Sequence, residues 1–235
     1  MSIVISIVLD ILAFVLYYIF LIKKGGKTYK AMDLVLLLLI DAACGLLTLL
    51  GNIPANLLRM TSFGTAHPLI TLAVDEFIGT AMVEELIKFL ILYKFLVKRG
   101  YAKTYRSSLV AAALAGLAFG VVENIMYARS TSLPIMIFRI IFSNIGHAMY
   151  TAIFVYHWHR WKENKTFGNF ARMFFLPVFL HGLLDFAIFA TPYLPEGIIA
   201  DVFPLIGLIC DVALTVLMVR WYLHALKEAE TREVQ

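Results

Sequence analysis

Charge is scarce in this chain: 15% of its 235 residues are Asp, Glu, Lys or Arg, against about a quarter in an ordinary soluble domain. The shortage excludes a water-soluble globular domain. The net charge of +4 does not indicate nucleic-acid binding, because the basic residues cluster between apolar runs, where membrane topology needs them. Cysteine is nearly absent too. Cys44 and Cys210 lie in separate apolar runs, which excludes a disulfide scaffold and a CxxC metal site and leaves inert thiols packed among helices. The sequence also lacks a GxSxG serine elbow, an HExxH pair and a glycine-rich phosphate loop. Internal repeats and low-complexity segments are missing. The opening MSIVISIVLDILAF has no basic n-region, and no small-residue cleavage site follows it, so a retained helix is expected rather than a signal peptide.

What the chain has in abundance is apolar length. Hydrophobic residues make up 61% of it and the mean hydropathy is +0.85. Runs able to cross a bilayer lie at about residues 3–22, 33–51, 69–96, 107–128, 134–157, 170–190 and 199–222. The expected fold is all-α: a polytopic membrane bundle of about seven helices forming one domain, residues 1–235. Lys23, Lys24, Lys27 and Lys30 mark the first connection, Lys94, Lys98, Arg99, Lys103 and Arg106 the third, and Arg160, Lys162, Lys165 and Arg172 the fifth. Arg220, Lys227 and Arg232 follow the last run, whose KEAETREVQ is expected to be a short polar tail. The alternate connections hold only Arg59 and Arg129, with Arg139 slightly inside a helix. This alternation puts the N-terminus outside and the C-terminus in the cytoplasm. Turns at 51–54 and 191–197 close helices on the outer side.

A few polar residues break the apolar runs. Counting about 1.5 Å per residue from the basic boundaries puts Glu84, His147 and His181 near the middle of a core about 30 Å thick. Asp185 lies a turn further out. Glu123 lies further still, and a single plane would require a tilted helix or a water-filled cleft. Polar groups at such depth are rare and face the bundle interior or a cavity. Glu84 and Glu85 can both reach Lys88, at i+4 and i+3. A buried ion pair explains one glutamate and leaves the other available as a general base. Gly116 and Gly120 form a GxxxG, read as helix packing. Glu123 and Asn124 follow on the same helix, and interhelical hydrogen bonding is their plain structural reading. Asn144, His147 and Thr151 share a face, as do His181 and Asp185. A lone membrane histidine is most often a packing residue, but a carboxylate a turn away can fix a histidine tautomer for hydrogen bonding or metal ligation. Asp41 and Asp211 are read as structural. Arg139 could snorkel or hold a substrate backbone or carboxylate, and His157 and His159 are placed at the solvated cytoplasmic edge.

Four motifs in order resemble the PrsW family of bacterial intramembrane proteases: Glu84-Glu85-Leu86-Ile87-Lys88, Phe119 through Glu123-Asn124, His147 in GHAMYT, and His181-Gly182-Leu183-Leu184-Asp185. That family is grouped with the CAAX prenyl endopeptidases and Abi proteins. The match spans about half the chain, residues 69–190. The resemblance implies a multi-pass bacterial plasma-membrane endopeptidase cutting a membrane-associated protein; for the family's namesake this is an anti-sigma factor cut on its extracellular side. It also implies that Glu84 and Glu85 form the catalytic pair, with Lys88, Glu123, His147, His181 and Asp185 as further site residues. Asn124, Asn144 and Arg139 are candidates for substrate or oxyanion contacts. Relatives include both metalloproteases and metal-free glutamate enzymes, so the expected cofactor is either none or a divalent metal such as zinc on His147, His181 and Glu123. The rival readings are a proton-coupled transporter, opposed by the lack of an inverted repeat, and a non-catalytic relative that binds membrane proteins.

Overall fold

The protein, seen in a computed structural model, is described over residues 2–25, 28–194 and 196–234. Lys27 of the first basic connection and Pro195 of the outer turn lie outside the described residues. Helix α1 covers Ser2–Gly25 and α2 covers Ala31–Gly51. Two short helices follow, α3 (Ile53–Arg59) and α4 (Ser62–Ala66). Helix α5 is a continuous helical run over 68–98, α6 is Tyr105–Tyr127, and α7 is Leu133–Glu163. Helix α8 is Phe167–Phe189 and α9 is Ile198–Val234. No strand occurs among the described residues, so the fold is all-α. Among the described residues, five helices are long and apolar enough to cross a membrane: α1, α6, α7, α8 and α9. Helix α5 has the length, but Asp75, Glu76, Glu84, Glu85 and Lys88 interrupt its apolar character.

Composition decides which helix is central. The apolar window of α6 is 78% buried, against 17% for α1 and 22% for α9. Ala111, Ala112, Ala113, Ala115, Gly116, Ala118 and Gly120 give α6 a nearly smooth surface, so backbones can approach without driving side chains apart. Thr104 starts it with a capping box to Ser107. Helix α6 packs most extensively on α7, and α7 on α8, while α1 lies along the other side of α6. The exposed faces of α1 and α9 are leucine, isoleucine, valine and phenylalanine, which suits lipid rather than water. Pro177 and Pro204 sit inside α8 and α9, a position that membrane helices tolerate better than soluble ones.

Three features depart from expectation. The polar C-terminal residues are not a tail: α9 continues through them to Val234. Good helix formers and ion pairs to neighbouring helices, Arg232 with Glu163 at 3.0 Å and Arg106 with Glu230 at 3.0 Å, hold it. Cys44 is buried as expected, but Cys210 is exposed on the outer face of α9. His157 and His159 are half-buried rather than solvated, and the His159 ring packs on Tyr105 at 4.8 Å.

Candidate active site

The backbone of α5 widens where the polar residues begin. Asp75–Met82 and Lys88–Tyr93 are π-helical, and Glu84 and Glu85 lie in the five-residue α-helical stretch between them. A third π segment, Arg139–Ser143, leads directly to Asn144 in α7. Such wide turns are uncommon and frequently mark functional sites. Adjacent residues project about 100° apart on a helix of 3.6 residues per turn, so Glu84 and Glu85 would not normally both be buried. Here α2, α6, α7 and α8 enclose α5, and Glu84, Glu85 and Lys88 are all buried.

The contact of α6 with α7 supplies the next residues. A Cβ on Gly116 would collide with the carbonyl oxygen of His147, and one on Gly120 would lie 2.6 Å from Asn144 Oδ1. The two glycines therefore let His147 and Asn144 lie against the α6 backbone. Glu123 begins nearly a turn beyond Gly120, but helical side chains lean toward the N-terminus of their helix. The lean brings Glu123 Oε2 to 2.9 Å from His147 Nε2.

The polar side chains form two joined groups. In the first, Lys88 Nζ donates to Glu85 Oε1 at 2.8 Å, reaches Glu84 Oε2 at 3.5 Å, and lies 2.8 Å from His147 Nδ1. The ammonium also sits 4.2 Å from the centre of the Phe119 ring. His181 Nδ1 lies 3.0 Å from the same Glu85 oxygen. Its Nε2 is 3.1 Å from Asp185 Oδ2 and 3.7 Å from Glu84 Oε2. The Tyr150 ring stacks on His181, with centres 5.0 Å apart. An ammonium has no acceptor, so His147 Nδ1 accepts from Lys88 and its Nε2–H donates to Glu123. The surroundings thus select one tautomer.

In the second group, Arg139 Nη2 donates to Glu123 at 2.7 Å and its Nε to Asn124 Oδ1 at 3.0 Å. The guanidinium also covers the Tyr127 ring at 4.2 Å. Asn124 Nδ2 donates to Asn144 Oδ1 at 3.0 Å and to Asp10 Oδ1 at 3.1 Å, and Asn144 Nδ2 donates to Asp10 Oδ1 at 2.8 Å. Arg139 is held inside by these contacts and does not snorkel. Both amide hydrogens of Asn124 are used, leaving none for an oxyanion, whereas Asn144 has one to spare.

The donors present fit a divalent metal. Among the described residues, Glu84, His147 and His181 bring one ligand atom each within 4.8 Å of one another. Two imidazoles and a carboxylate match a catalytic zinc site in type and number, and a metal would take the place of Lys88 Nζ at His147 Nδ1. Glu123 beside His147 and Asp185 beside His181 match the carboxylates that orient ligating histidines. Acids also outnumber bases: Glu84, Glu85, Glu123, Asp185 and Asp10 face Lys88, Arg139 and two imidazoles. The carboxylate grouped with the two histidines is Glu84, where the sequence had pointed to Glu123. Glu123 is instead taken up by Arg139 and His147.

Every site residue expected from the sequence lies in one of the two groups. Thr151 does not join them, since its hydroxyl satisfies the His147 carbonyl at 3.1 Å. Asp211 turns to Thr215 of its own helix at 3.4 Å. Asp41 is buried within electrostatic range of Lys88 and Glu123, and its Oδ2 has no hydrogen-bond partner among the described residues. Three contributors escaped sequence reasoning: Asp10, Tyr150, and Glu76, which is buried beside Asp185, His181 and Glu84. For Asp10 the signal was present, a single acid in an otherwise apolar run, but its partners could not be read from the sequence.

The family model described as "PrsW family intramembrane metalloprotease" matches residues 30–219. Protease PrsW of Geobacillus kaustophilus is 26% identical over 121 residues, covering 50% of this chain and 53% of that protein. Protease PrsW of Clostridioides difficile is 27% identical over 119 residues, covering 47% and 50%. The Oceanobacillus iheyensis protein of the same name is 24% identical over 115 residues, covering 48% and 54%. The chain thus spans about half the length of the curated relatives it matches. No solved structure matches it. With four-fifths of the chain inside the matched region, and with the polar residues of its four motifs in one buried cluster, the chain belongs to the PrsW family of intramembrane metalloproteases.

Proposed function

We propose that this protein is an endopeptidase that hydrolyses a peptide bond of a membrane-associated protein at the Glu84–His147–His181 cluster. The observation that carries the proposal is the convergence of these three residues within 4.8 Å, from three different helices, inside an otherwise apolar bundle. Keeping such groups in a membrane is costly, and packing alone would be served by apolar side chains. The reading extends to seven membrane crossings, with the N-terminus outside and the C-terminus in the cytoplasm of a bacterial cell, supported by the alternating Lys and Arg. The finer substrate reading, an initial cut in an anti-sigma factor, is supported only by the resemblance of the four motifs.

Hydrolysis needs an activated water, a stabilised oxyanion and a proton for the leaving amine. Glu85 is fully buried and shared by Lys88 and His181, which suits it to anchoring them. Glu84 has longer contacts and keeps a 7% exposed side chain, so it is the carboxylate free to take a proton from water. The resulting hydroxide adds to the scissile carbonyl. The spare amide hydrogen of Asn144 is a donor available for the oxyanion. His181, whose two nitrogens face Glu85 and Asp185, carries a proton to the departing nitrogen, and the carbon–nitrogen bond breaks to give acid and amine. Glu84, His147 and His181 are also the residues that would hold a divalent metal, and in that case the metal would supply the carbonyl polarisation and water acidification otherwise asked of Glu84 and His181.

Reconstitution in liposomes tests the proposal. The wild type is expected to release peptides from membrane-embedded substrate and to pass no ions, and the Glu84→Gln, Glu85→Gln double variant is expected to release none. Ion flux without peptide release would replace this function with transport.

A further inference from the structure

Asp10 is the most unexpected member of the cluster. It is 1% exposed on α1, a helix outside the region the family model matches. The α1 residues around it, Ile5, Val8, Leu9, Ile11 and Leu12, are exposed and apolar. A carboxylate in such a setting is costly, and mere attachment of α1 to α6 needs no charge.

The chemistry of the contacts explains the choice of an acid. Asn side chains can turn over, exchanging oxygen for nitrogen. An ionised carboxylate only accepts, so Asp10 Oδ1 draws the NH2 groups of both Asn124 and Asn144, at 3.1 and 2.8 Å. With its NH2 fixed there, Asn124 must turn its oxygen to Arg139 Nε, at 3.0 Å. Arg139 then presents Nη2 to Glu123 at 2.7 Å, and Glu123 receives His147 Nε2–H at 2.9 Å. An amide at position 10 would release both asparagines to flip, and with them the anchor of Arg139.

We propose that Asp10 is a positioning residue for the active site, fixing the orientation of the His147 ring and its Nε2–H bond to Glu123 through Asn124 and Arg139, so that α1 is part of the catalytic unit. The proposal rests on the role given to His147 above, but its test reads the histidine ring itself, so it can fail or succeed apart from peptidase activity.

The experiment uses full-length protein labelled with 15N-histidine in detergent micelles. The His147 signals are identified by their loss in His147→Asn. In the wild type they should report a single tautomer protonated at Nε2. In Asp10→Asn the Nε2 signal should shift as its hydrogen bond to Glu123 loosens, while Lys88 keeps Nδ1 the acceptor, with cleavage of any peptide the wild type cuts reduced by about 10–100-fold, the range for residues that orient catalytic groups. The swapped pair Asp10→Asn, Asn124→Asp keeps one anion able to accept from Arg139 and should restore the wild-type ring signals. Tyr17→Phe is the packing control, since it removes the hydroxyl lying 3.4 and 3.3 Å from the Ile140 and Ile141 carbonyls without touching the carboxylate. It should leave His147 unmoved. Unchanged ring signals in Asp10→Asn, or the same change in Tyr17→Phe, would reduce Asp10 to a packing residue. If Asp10→Asn fails to fold, the swapped pair decides alone: a His147 signature unlike the wild type would overturn the proposal.

Discussion

Two clusters of ion pairs, one in the bundle interior and one at the end where α9 finishes, share similar distances and differ in everything else. Lys88 and Glu85 meet at 2.8 Å with both side chains 0% exposed. Arg232 and Glu163 meet at 3.0 Å with side chains 33% and 57% exposed. The end cluster ties α9 to α7, and water screens it, so a pair there contributes roughly 0–1 kcal/mol. In the interior, removing one partner strands the other without water, at a cost of about 3–5 kcal/mol. Distance therefore says little about importance in this protein, whereas burial separates a fastening from a site.

The comparison can be broken by experiment. The largest effect is expected from Glu84→Gln, which should lower cleavage by about 10²–10⁴-fold, the contribution of a general base, while the thermal midpoint in detergent barely moves. Lys88→Ala should come next, destabilising the bundle by about 3–5 kcal/mol in chemical unfolding; a neutral result would put water around Glu85 and undo the contrast. Third, Glu123→Gln and Asp185→Asn should each weaken zinc binding by roughly 10–100-fold, as partners that orient ligating histidines do, read by titrating the metal-stripped protein. The smallest effect belongs to the far end: Arg232→Ala should change stability by less than about 1 kcal/mol, and adding salt should erase even that. A loss as large as that for Lys88→Ala would show that the two clusters do not differ in kind.

How much of this could be read from the sequence depended on whether a contact was local. The Glu84–Glu85–Lys88 and His181–Asp185 contacts lie three or four residues apart on a helix and follow from its periodicity. Gly116 and Gly120 announced a close helix neighbour, but not that it would be α7. Depth counting follows the backbone, so it set Glu123 apart from His147, although its side chain reaches His147 Nε2 at 2.9 Å. Asp10 was out of reach for a different reason: its partners Asn124 and Asn144 are 114 and 134 residues away, and only the packing of α1 against α6 and α7 joins them. The π turns around Glu84 and before Asn144 have no simple sequence signature either, yet they set the line along which these side chains enter. The C-terminal helix was mistaken for a tail because its residues are polar, although they are also good helix formers with partners on α6 and α7.

The most direct test compares the new N-termini of membrane proteins in cells carrying the wild type with those in cells carrying the inserted, folded Glu84→Gln, Glu85→Gln double variant. The proposed chemistry predicts at least one cleavage that disappears entirely in the variant. Identical sets of cut proteins in the two strains, with the wild type present at normal levels, would contradict it.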